Sequence, residues 1–163
     1  MSARLAKLVG NALKAHGMTL ATAESCTGGG IAQAVTRISG SSAWFDRGFV
    51  TYSNASKEEM LGVSPDTLET HGAVSEETVR EMADGALQYS RAQVALSVSG
   101  IAGPTGGTPE KPVGMVWFAW ATNDTVHTAC HFISGDRDAI RVKSVRIALQ
   151  GVIKLLNNRT KIA

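Results

Sequence analysis

The sequence is poor in cysteine and has no long apolar run, and each absence excludes a class of protein. Its two cysteines, Cys26 and Cys130, lie far apart without a C-x-x-C spacing, which predicts free thiols in a reducing compartment rather than a disulfide scaffold. No segment approaches the roughly 18–20 apolar residues of a membrane span. The first helical pattern, from Met1 to Gly17, carries basic side chains throughout, unlike a signal peptide. We therefore expect a cytoplasmic protein without a membrane segment.

An excess of charge of either sign is also missing. Sixteen Lys and Arg residues against 14 Asp and Glu residues leave a net charge of +2 over 163 residues. No basic stripe with interleaved aromatic residues is present, so a nucleic-acid partner is not expected. Because domains usually run to about 100–200 residues, we expect a single domain over residues 1–163. A chain of this size buries enough surface to fold without a structural metal.

What the chain has in excess is glycine, set within an alternation of strand and helix patterns. Apolar and β-prone segments predict five strands, at Met18–Ala23, Trp44–Ser53, Gln93–Ser99, Val113–Ala121 and Thr125–Ile133. Helical periodicity and capping residues predict helices before Gly17, after Gly30, from near Asn54, Ser64 and Ser75, and after Asp136. This alternation predicts an α/β fold with a sheet covered on both faces, in which the last two strands form an antiparallel hairpin.

The 17 glycines concentrate after two of the predicted strands, in Gly28–Gly30 and in the loop from Gly100 to Gly107. Ligands of open α/β sheets bind beyond the carboxyl ends of strands. Neither loop matches G-x-x-x-x-G-K-[ST] or G-x-G-x-x-G, so a triphosphate or dinucleotide site is not indicated.

Ser25 follows the first predicted strand and is a candidate nucleophile. At a strand-to-helix turn, the next backbone N–H groups, of Cys26, Thr27 and Gly28, point outward as free donors that suit an oxyanion hole. The alternative is that Ser25 only caps the helix. The Cys26 thiol is a competing nucleophile. No histidine motif points to it, however, so we interpret Cys26 as a small packing residue.

Lys57 is the candidate base for this serine. In the first turn of a helix beginning near Asn54, the helix dipole disfavours an ammonium group and lowers the lysine pKa. Tyr52, at the preceding strand end, is placed to hydrogen-bond the amine or to relay a proton. Burial of the amine beside the tyrosine ring would lower the lysine pKa further. The alternative is a solvated helix lysine beside a core tyrosine.

The histidines of the second hairpin strand do not predict a metal site. His127 and His131 lie about 13 Å apart if the segment is extended, at about 3.3 Å per residue. They cannot share one ion at that distance, and we expect no metal.

Arg137 and Arg141 lie one turn apart at the start of the last predicted helix, which suits a phosphate. The alternative is a capped helix in which Asp138 pairs with Arg141.

Several long motifs together resemble the CinA C-terminal domain family, and the likeness covers essentially the whole chain. The motifs are Thr22-Ala-Glu-Ser-Cys-Thr-Gly-Gly29, Gly40-Ser-Ser-Ala-Trp-Phe45, Arg47-Gly-Phe-Val-Thr-Tyr-Ser-Asn54 with Lys57, Ala73-Val-Ser75, and Ser99-Gly-Ile-Ala-Gly-Pro-Thr-Gly-Gly107 with Lys111-Pro-Val-Gly114. The resemblance implies a three-layer α/β/α sandwich with a mixed, mostly parallel sheet. It also implies an amidase that hydrolyses nicotinamide mononucleotide to nicotinate mononucleotide and ammonia, without a cofactor.

The resemblance further implies that Ser25 is the nucleophile, Lys57 the base and Tyr52 an assisting residue. With these roles, the reaction runs through an acyl-enzyme whose oxyanion meets the N–H groups of the Ser25 turn. We expect a mononucleotide to be bound by the surrounding residues, with Arg141 at its phosphate. The expected binding residues are Cys26, Thr27, Gly28, Gly29, Ser99, Gly100 and Arg141.

Two alternative functions stay open at this point. One is a catalytically idle module that binds a nucleotide or a protein partner, as the family's competence-related name suggests, and the other is a Ser/Lys peptidase. We also expect self-association, as a homodimer or higher oligomer, from the apolar surface of the last helix. The residues behind that expectation are Ile147, Val152, Ile153, Leu155 and Leu156.

Overall fold

The five predicted strands are present in the computed structural model, which describes residues 3–162 and side chains as far as Arg159. They are β1 (Leu20–Glu24), β2 (Phe45–Val50), β3 (Val94–Gly100), β4 (Met115–Ala121) and β5 (Val126–Phe132). Met1, Ser2 and Ala163 of the predicted domain lie outside the described residues. The predicted hairpin is confirmed, since β4 and β5 pair antiparallel.

The helices begin where the capping residues predict. They are α1 (Ala3–Ala15), α2 (Gly30–Thr36), α3 (Asn54–Leu61), α4 (Pro65–His71), α5 (Glu76–Gln88) and α6 (Arg137–Ile162), with a short 3₁₀ turn at Ser41–Ala43. Ser53 accepts a hydrogen bond from the Ser56 N–H and caps α3. Ser75 caps α5 in the same way, through the Thr78 N–H. These bonds satisfy backbone donors that a helix start leaves without intrahelical partners.

The strands form one mixed sheet in the order β2-β1-β3-β4-β5. Strand β1 pairs parallel with both β2 and β3, while β4 pairs antiparallel with β3 and with β5. Four of the five strands therefore run in one direction. Because β2, β1 and β3 are parallel neighbours, their carboxyl ends meet at one edge of the sheet.

Helices cover both faces of this sheet. On one face, α1, α2 and α6 pack over larger apolar side chains such as Leu96, Val98 and Phe118. On the other face α5, flanked by α3 and α4, packs on small side chains such as Ala23 and Ala95. The predicted three-layer α/β/α fold with a mixed, mostly parallel sheet is confirmed.

The apolar residues of α6 do not form the broad exposed surface from which self-association was expected. Val152, Leu155 and Leu156 are buried, and Ile147 and Ile153 pack partly buried against the same core. One reason is that α1 lies against α6 and covers it. Self-association stays a prediction, but this helix no longer supports it.

Both cysteines are free thiols, as predicted. None of the helices described between residues 3 and 162 combines the length and apolar character that crossing a bilayer requires.

Candidate active site

Ser25 lies at the middle of the sheet edge where three parallel strands end. Its N–H donates to the Val98 carbonyl on β3 at 3.0 Å, and the Thr51 N–H donates to the Glu24 carbonyl at 2.8 Å. These bonds continue the sheet one residue beyond β1 and β2. The backbone of Ser25 is therefore fixed between the ends of its two neighbouring strands.

Lys57 reaches Ser25 from the start of α3. Its Nζ lies 3.0 Å from Ser25 Oγ, 2.9 Å from the Thr51 carbonyl oxygen and 3.1 Å from the Tyr52 carbonyl oxygen. The side chain is 0% exposed. The alternative of a solvated helix lysine is therefore wrong.

Burial lowers the pKa of Lys57 from 10.5 to about 8, because an ammonium group loses its hydration in this position. The neutral amine has two N–H donors and one lone pair, and two backbone carbonyls lie within hydrogen-bond distance. With both N–H groups donated to those carbonyls, the lone pair is left for the Ser25 hydroxyl. The arrangement suits a base that takes the proton of Ser25.

The contacts of Tyr52 differ from those expected. The Lys57 amine bonds to its backbone carbonyl, whereas its hydroxyl accepts a hydrogen bond from Arg137 Nη2 at 3.1 Å. Its side chain is 61% exposed, so it is not a core tyrosine. A proton-relay role for the hydroxyl stays a prediction.

The turn after Ser25 presents two candidate oxyanion donors rather than three. Helix α2 begins at Gly30 and its N-cap is Gly29, so Ser25 is not the helix cap. The Gly28 N–H donates to the Ser25 carbonyl at 3.1 Å, and the expectation that it is free is wrong. Within the described residues, no backbone carbonyl accepts from the N–H groups of Cys26 and Thr27.

Glu24 is a buried carboxylate beside the nucleophile turn, and it is not among the residues expected from the sequence. It is 1% exposed and accepts three hydrogen bonds, from Thr27 Oγ1 at 2.6 Å, the Ile31 N–H at 2.8 Å and the Ala32 N–H at 3.0 Å. The last two are N-terminal donors of α2, so Glu24 supplies the cap that Gly29 lacks. A single acidic residue in the apolar strand β1 is the signal that could have revealed it.

Cys26 is buried beside Ser25, and burial is the main reason that the pKa of its thiol rises to about 11. The thiolate is the reactive form, so a thiol with this pKa is a weak nucleophile at neutral pH. The interpretation of Cys26 as a packing residue agrees with this environment.

A cavity of about 350 Å³ opens over Ser25, Cys26, Tyr52 and Lys57, within the range of about 300–1,000 Å³ for small-molecule sites. Ser99, Gly100 and the following loop form another wall. Among the described residues that line it, Arg137 is charged, Lys57 is charged while its amine is protonated, and none is acidic. The cavity therefore favours an anionic ligand.

Arg137, and not Arg141, is the arginine that lines this cavity. Arg137 donates to the Gly103 carbonyl at 2.8 Å and to the Tyr52 hydroxyl, at the mouth of the cavity. Arg141 lies in a separate groove between α2 and α6. It donates to the carbonyls of Cys26 and Thr27 at 3.1 and 3.3 Å instead of pairing with Asp138. Arg141 therefore does not line the cavity over Ser25, and its expected contact with a phosphate stays a prediction.

Gly100 lies in the cavity wall with Ser99, as expected, whereas Gly29 lies beyond the Ser25 turn as the cap of α2. A Cβ atom on Gly100 would lie 2.6 Å from the Val116 side chain and 2.9 Å from the Met115 carbonyl oxygen. A glycine is needed here because β4 approaches the end of β3 so closely.

The two histidines of β5 are His127 and His131, which pair with Trp120 and Val116 on β4. In the part of the chain that the structure describes, no group of three or more His, Cys, Asp or Glu side chains could hold a metal ion.

Comparison with known proteins assigns the family. The sequence-family model of the CinA C-terminal domain matches residues 2–156 of this chain. The chain belongs to the CinA C-terminal domain family. It is 60% identical over 147 residues to the nicotinamide-nucleotide amidohydrolase PncC of Enterobacter agglomerans, covering 90% of each chain. It is 59% identical over 148 residues to the protein of the same name from Escherichia coli K12, again covering 90% of each.

Among solved structures, a competence-damaged protein (CinA) superfamily protein from Klebsiella pneumoniae 700603 superimposes with a TM-score of 0.93. The sequences are 40% identical, and the match covers 96% of this chain and 98% of the other.

Proposed function

We propose that this protein is an amidohydrolase that converts nicotinamide mononucleotide to nicotinate mononucleotide and ammonia, and that the whole chain forms one amidase domain. The observation that carries the proposal is the buried contact between Ser25 Oγ and Lys57 Nζ at the base of a cavity without acidic residues. The names of relatives about 60% identical to this chain support the choice of substrate.

In the proposed reaction the neutral Lys57 amine takes the proton of Ser25 Oγ as that oxygen attacks the carboxamide carbon. The N–H groups of Cys26 and Thr27 donate to the oxyanion that forms. Lys57 returns the proton to the leaving nitrogen, the C–N bond breaks and ammonia departs. Water then attacks the acyl ester as Lys57 takes one of its protons. The ester C–O bond breaks, Lys57 returns that proton to Ser25 Oγ, and the carboxylic acid product leaves and loses its remaining proton to solvent.

Arg137 is the residue that we propose to bind the phosphate, in place of Arg141. Arg137 is an exposed residue in the lining of the cavity, and its guanidinium donates to Gly103 and Tyr52. Arginine is suited to phosphate because it offers parallel N–H donors. Tyr52 on this account orients Arg137.

The decisive experiment is ammonia release from nicotinamide mononucleotide, with nicotinamide riboside and free nicotinamide as controls that lack the phosphate. We expect the mononucleotide to be preferred and Ser25→Ala to abolish release. Arg137→Ala should raise KM for the mononucleotide by about 10-fold or more, the order of a lost charge-assisted hydrogen bond of about 1.5–3 kcal/mol, and should leave hydrolysis of the riboside unchanged.

If wild-type protein releases no ammonia from the mononucleotide but binds it in calorimetry, the proposal is wrong and the protein is a binding module. Equal rates for the riboside and the mononucleotide would instead remove the phosphate from the substrate requirement and Arg137 from its role.

A further inference from the structure

Arg141 contacts the backbone of the nucleophile turn and not the cavity. The Nε and Nη2 atoms of its half-buried guanidinium donate to the carbonyls of two consecutive residues, Cys26 and Thr27. A planar guanidinium presents such parallel donors at fixed angles, which a lysine ammonium does not. The contact therefore joins α6 to the turn that follows Ser25.

These bonds fix the direction of two peptide groups. A trans peptide is planar, so its C=O and N–H point in opposite directions. The Cys26 carbonyl shares its peptide with the Thr27 N–H, and the Thr27 carbonyl shares its peptide with the Gly28 N–H. Both N–H groups therefore point away from Arg141: that of Gly28 closes the turn on the Ser25 carbonyl, and that of Thr27 is a candidate oxyanion donor.

The local sequence cannot hold this turn by itself. Gly28 and Gly29 have φ angles of 59° and 99°, and glycine reaches alternative conformations at little cost. Glu24 accepts from donors of the turn and of α2, while Arg141 supplies donors for the turn's carbonyls. A Cβ on Gly28 would lie 3.2 Å from Arg141 Nη2, so the glycine also leaves room for the guanidinium.

We propose that Arg141 is a positioning residue for catalysis, which holds the turn after Ser25 in the geometry that acyl transfer needs without touching the substrate. The proposal rests on the proposed acyl transfer at Ser25. It predicts that the loss of Arg141 lowers kcat, whereas the loss of Arg137, one turn earlier on the same helix, raises KM.

The test compares kcat and KM for nicotinamide mononucleotide in Arg141→Ala, Arg141→Lys and Arg37→Ala. Arg37 is the matched control, because it is an exposed arginine that lines the same groove as Arg141. Arg141→Ala should lower kcat by about 10- to 100-fold, the range for misplaced reacting groups and lost oxyanion donors. KM should change less than about threefold, since uniform substrate binding is kept.

Arg141→Lys should recover kcat only in part, because its point charge cannot take the place of two donors at fixed angles. Arg37→Ala should match wild type. A raised KM with unchanged kcat in Arg141→Ala would return Arg141 to the phosphate site and overturn the proposal. Wild-type kcat in Arg141→Ala would overturn it as well.

A second measurement separates this proposal from the choice of substrate. A fluorophosphonate probe reacts when Ser25 Oγ displaces fluoride from phosphorus, and this reaction does not require a mononucleotide. Arg141→Ala should be labelled at least about 10-fold more slowly than wild type or Arg37→Ala, by the same loss of geometry, with an unchanged circular dichroism spectrum at a temperature where all three proteins are folded. If wild-type protein is labelled but releases no ammonia, only the proposed substrate fails. Equal labelling rates in Arg141→Ala and wild type would refute the positioning role.

Discussion

The buried amine of Lys57 should make a contribution to the stability of this protein that rises with pH. The unfolded chain exposes Lys57 with a pKa near 10.5, whereas burial in the folded chain lowers that pKa to about 8. Between these values the unfolded state binds one more proton than the folded state. The contribution of Lys57 to stability therefore increases with pH across this window, and the protonated amine is a destabilising group below it.

The magnitude follows from the size of the shift. Each pKa unit corresponds to about 1.4 kcal/mol, so the change from 10.5 to about 8 amounts to about 3 kcal/mol where both states carry the proton. Most of this, about 2.5 kcal/mol, should be recovered between pH 7 and pH 10 because the folded amine has lost its proton by then.

The substitution that isolates the pH-dependent contribution of Lys57 is Lys57→Met, which keeps a long unbranched side chain and removes the charge. The variant also leaves the carbonyls of Thr51 and Tyr52 without their donor, at a cost of about 1–3 kcal/mol. That cost does not depend on pH, so it cancels when the difference between the two proteins is followed with pH. Lys7→Met, at an exposed position on α1, controls for the loss of one positive charge.

Urea unfolding of the three proteins at pH 7, 8, 9 and 10 provides the measurement. Relative to Lys57→Met, wild type should gain about 2.5 kcal/mol over this range, and Lys7→Met should follow wild type. The wild-type kcat/KM should rise with pH through the same value of about 8, since this parameter reports the free enzyme's base. A difference that does not change with pH would refute the lowered pKa and, with it, the neutral lysine base.

Two further substitutions test the structures that support the site. The Glu24 carboxylate accepts three hydrogen bonds, and Glu24→Gln places an amide NH₂ group, itself a donor, opposite one of the three donors. We therefore expect a loss of about 1–3 kcal/mol of stability together with a lower kcat. Glu81→Gln is its control, because Glu81 accepts from the Ser64 N–H and the Thr67 hydroxyl at the start of α4 and should lose stability without loss of kcat. Gly85→Ala places a Cβ 2.0 Å from the Leu61 carbonyl oxygen at the end of α3. It should lower the free energy of unfolding by about 1–3 kcal/mol, although alanine normally favours a helix, whereas the exposed neighbour Asp84→Ala should not.

Local sequence signals predicted the fold well because each one acts over a few residues. Ser53 and Ser75 mark helix starts through bonds to the N–H group three residues later, which the sequence shows directly. The order of the strands in the sheet is different, because it depends on contacts between distant segments. The alternation of strands and helices already predicted a sheet covered on both faces, and the resemblance to a family implied the same three-layer architecture.

The chemistry of the site was predictable only in part. The sequence placed Lys57 near a helix start and Ser25 at a strand end, but the 0% exposure of the lysine comes from three segments that meet at the sheet edge. Its lowered pKa is caused mainly by that burial. The sequence could suggest only the helix dipole as the main cause of a lowered lysine pKa, because the position of a residue in a helix can be read from local sequence. Burial is a property of the assembled fold and has no local signature.

The different contacts of Arg137 and Arg141 show the limit of helical spacing as a guide to function. Residues four apart lie on the same face of a helix but about one turn, or 5.4 Å, apart along its axis. That distance is enough for the first arginine to reach Tyr52 and Gly103 at the cavity while the second reaches Cys26 and Thr27 behind the turn. Periodicity predicts only that both lie on one face of the helix, and the packing of α6 decides which of them lines the cavity over Ser25. A functional assignment for either arginine therefore needs the opposing kcat and KM effects of the two alanine variants, measured side by side.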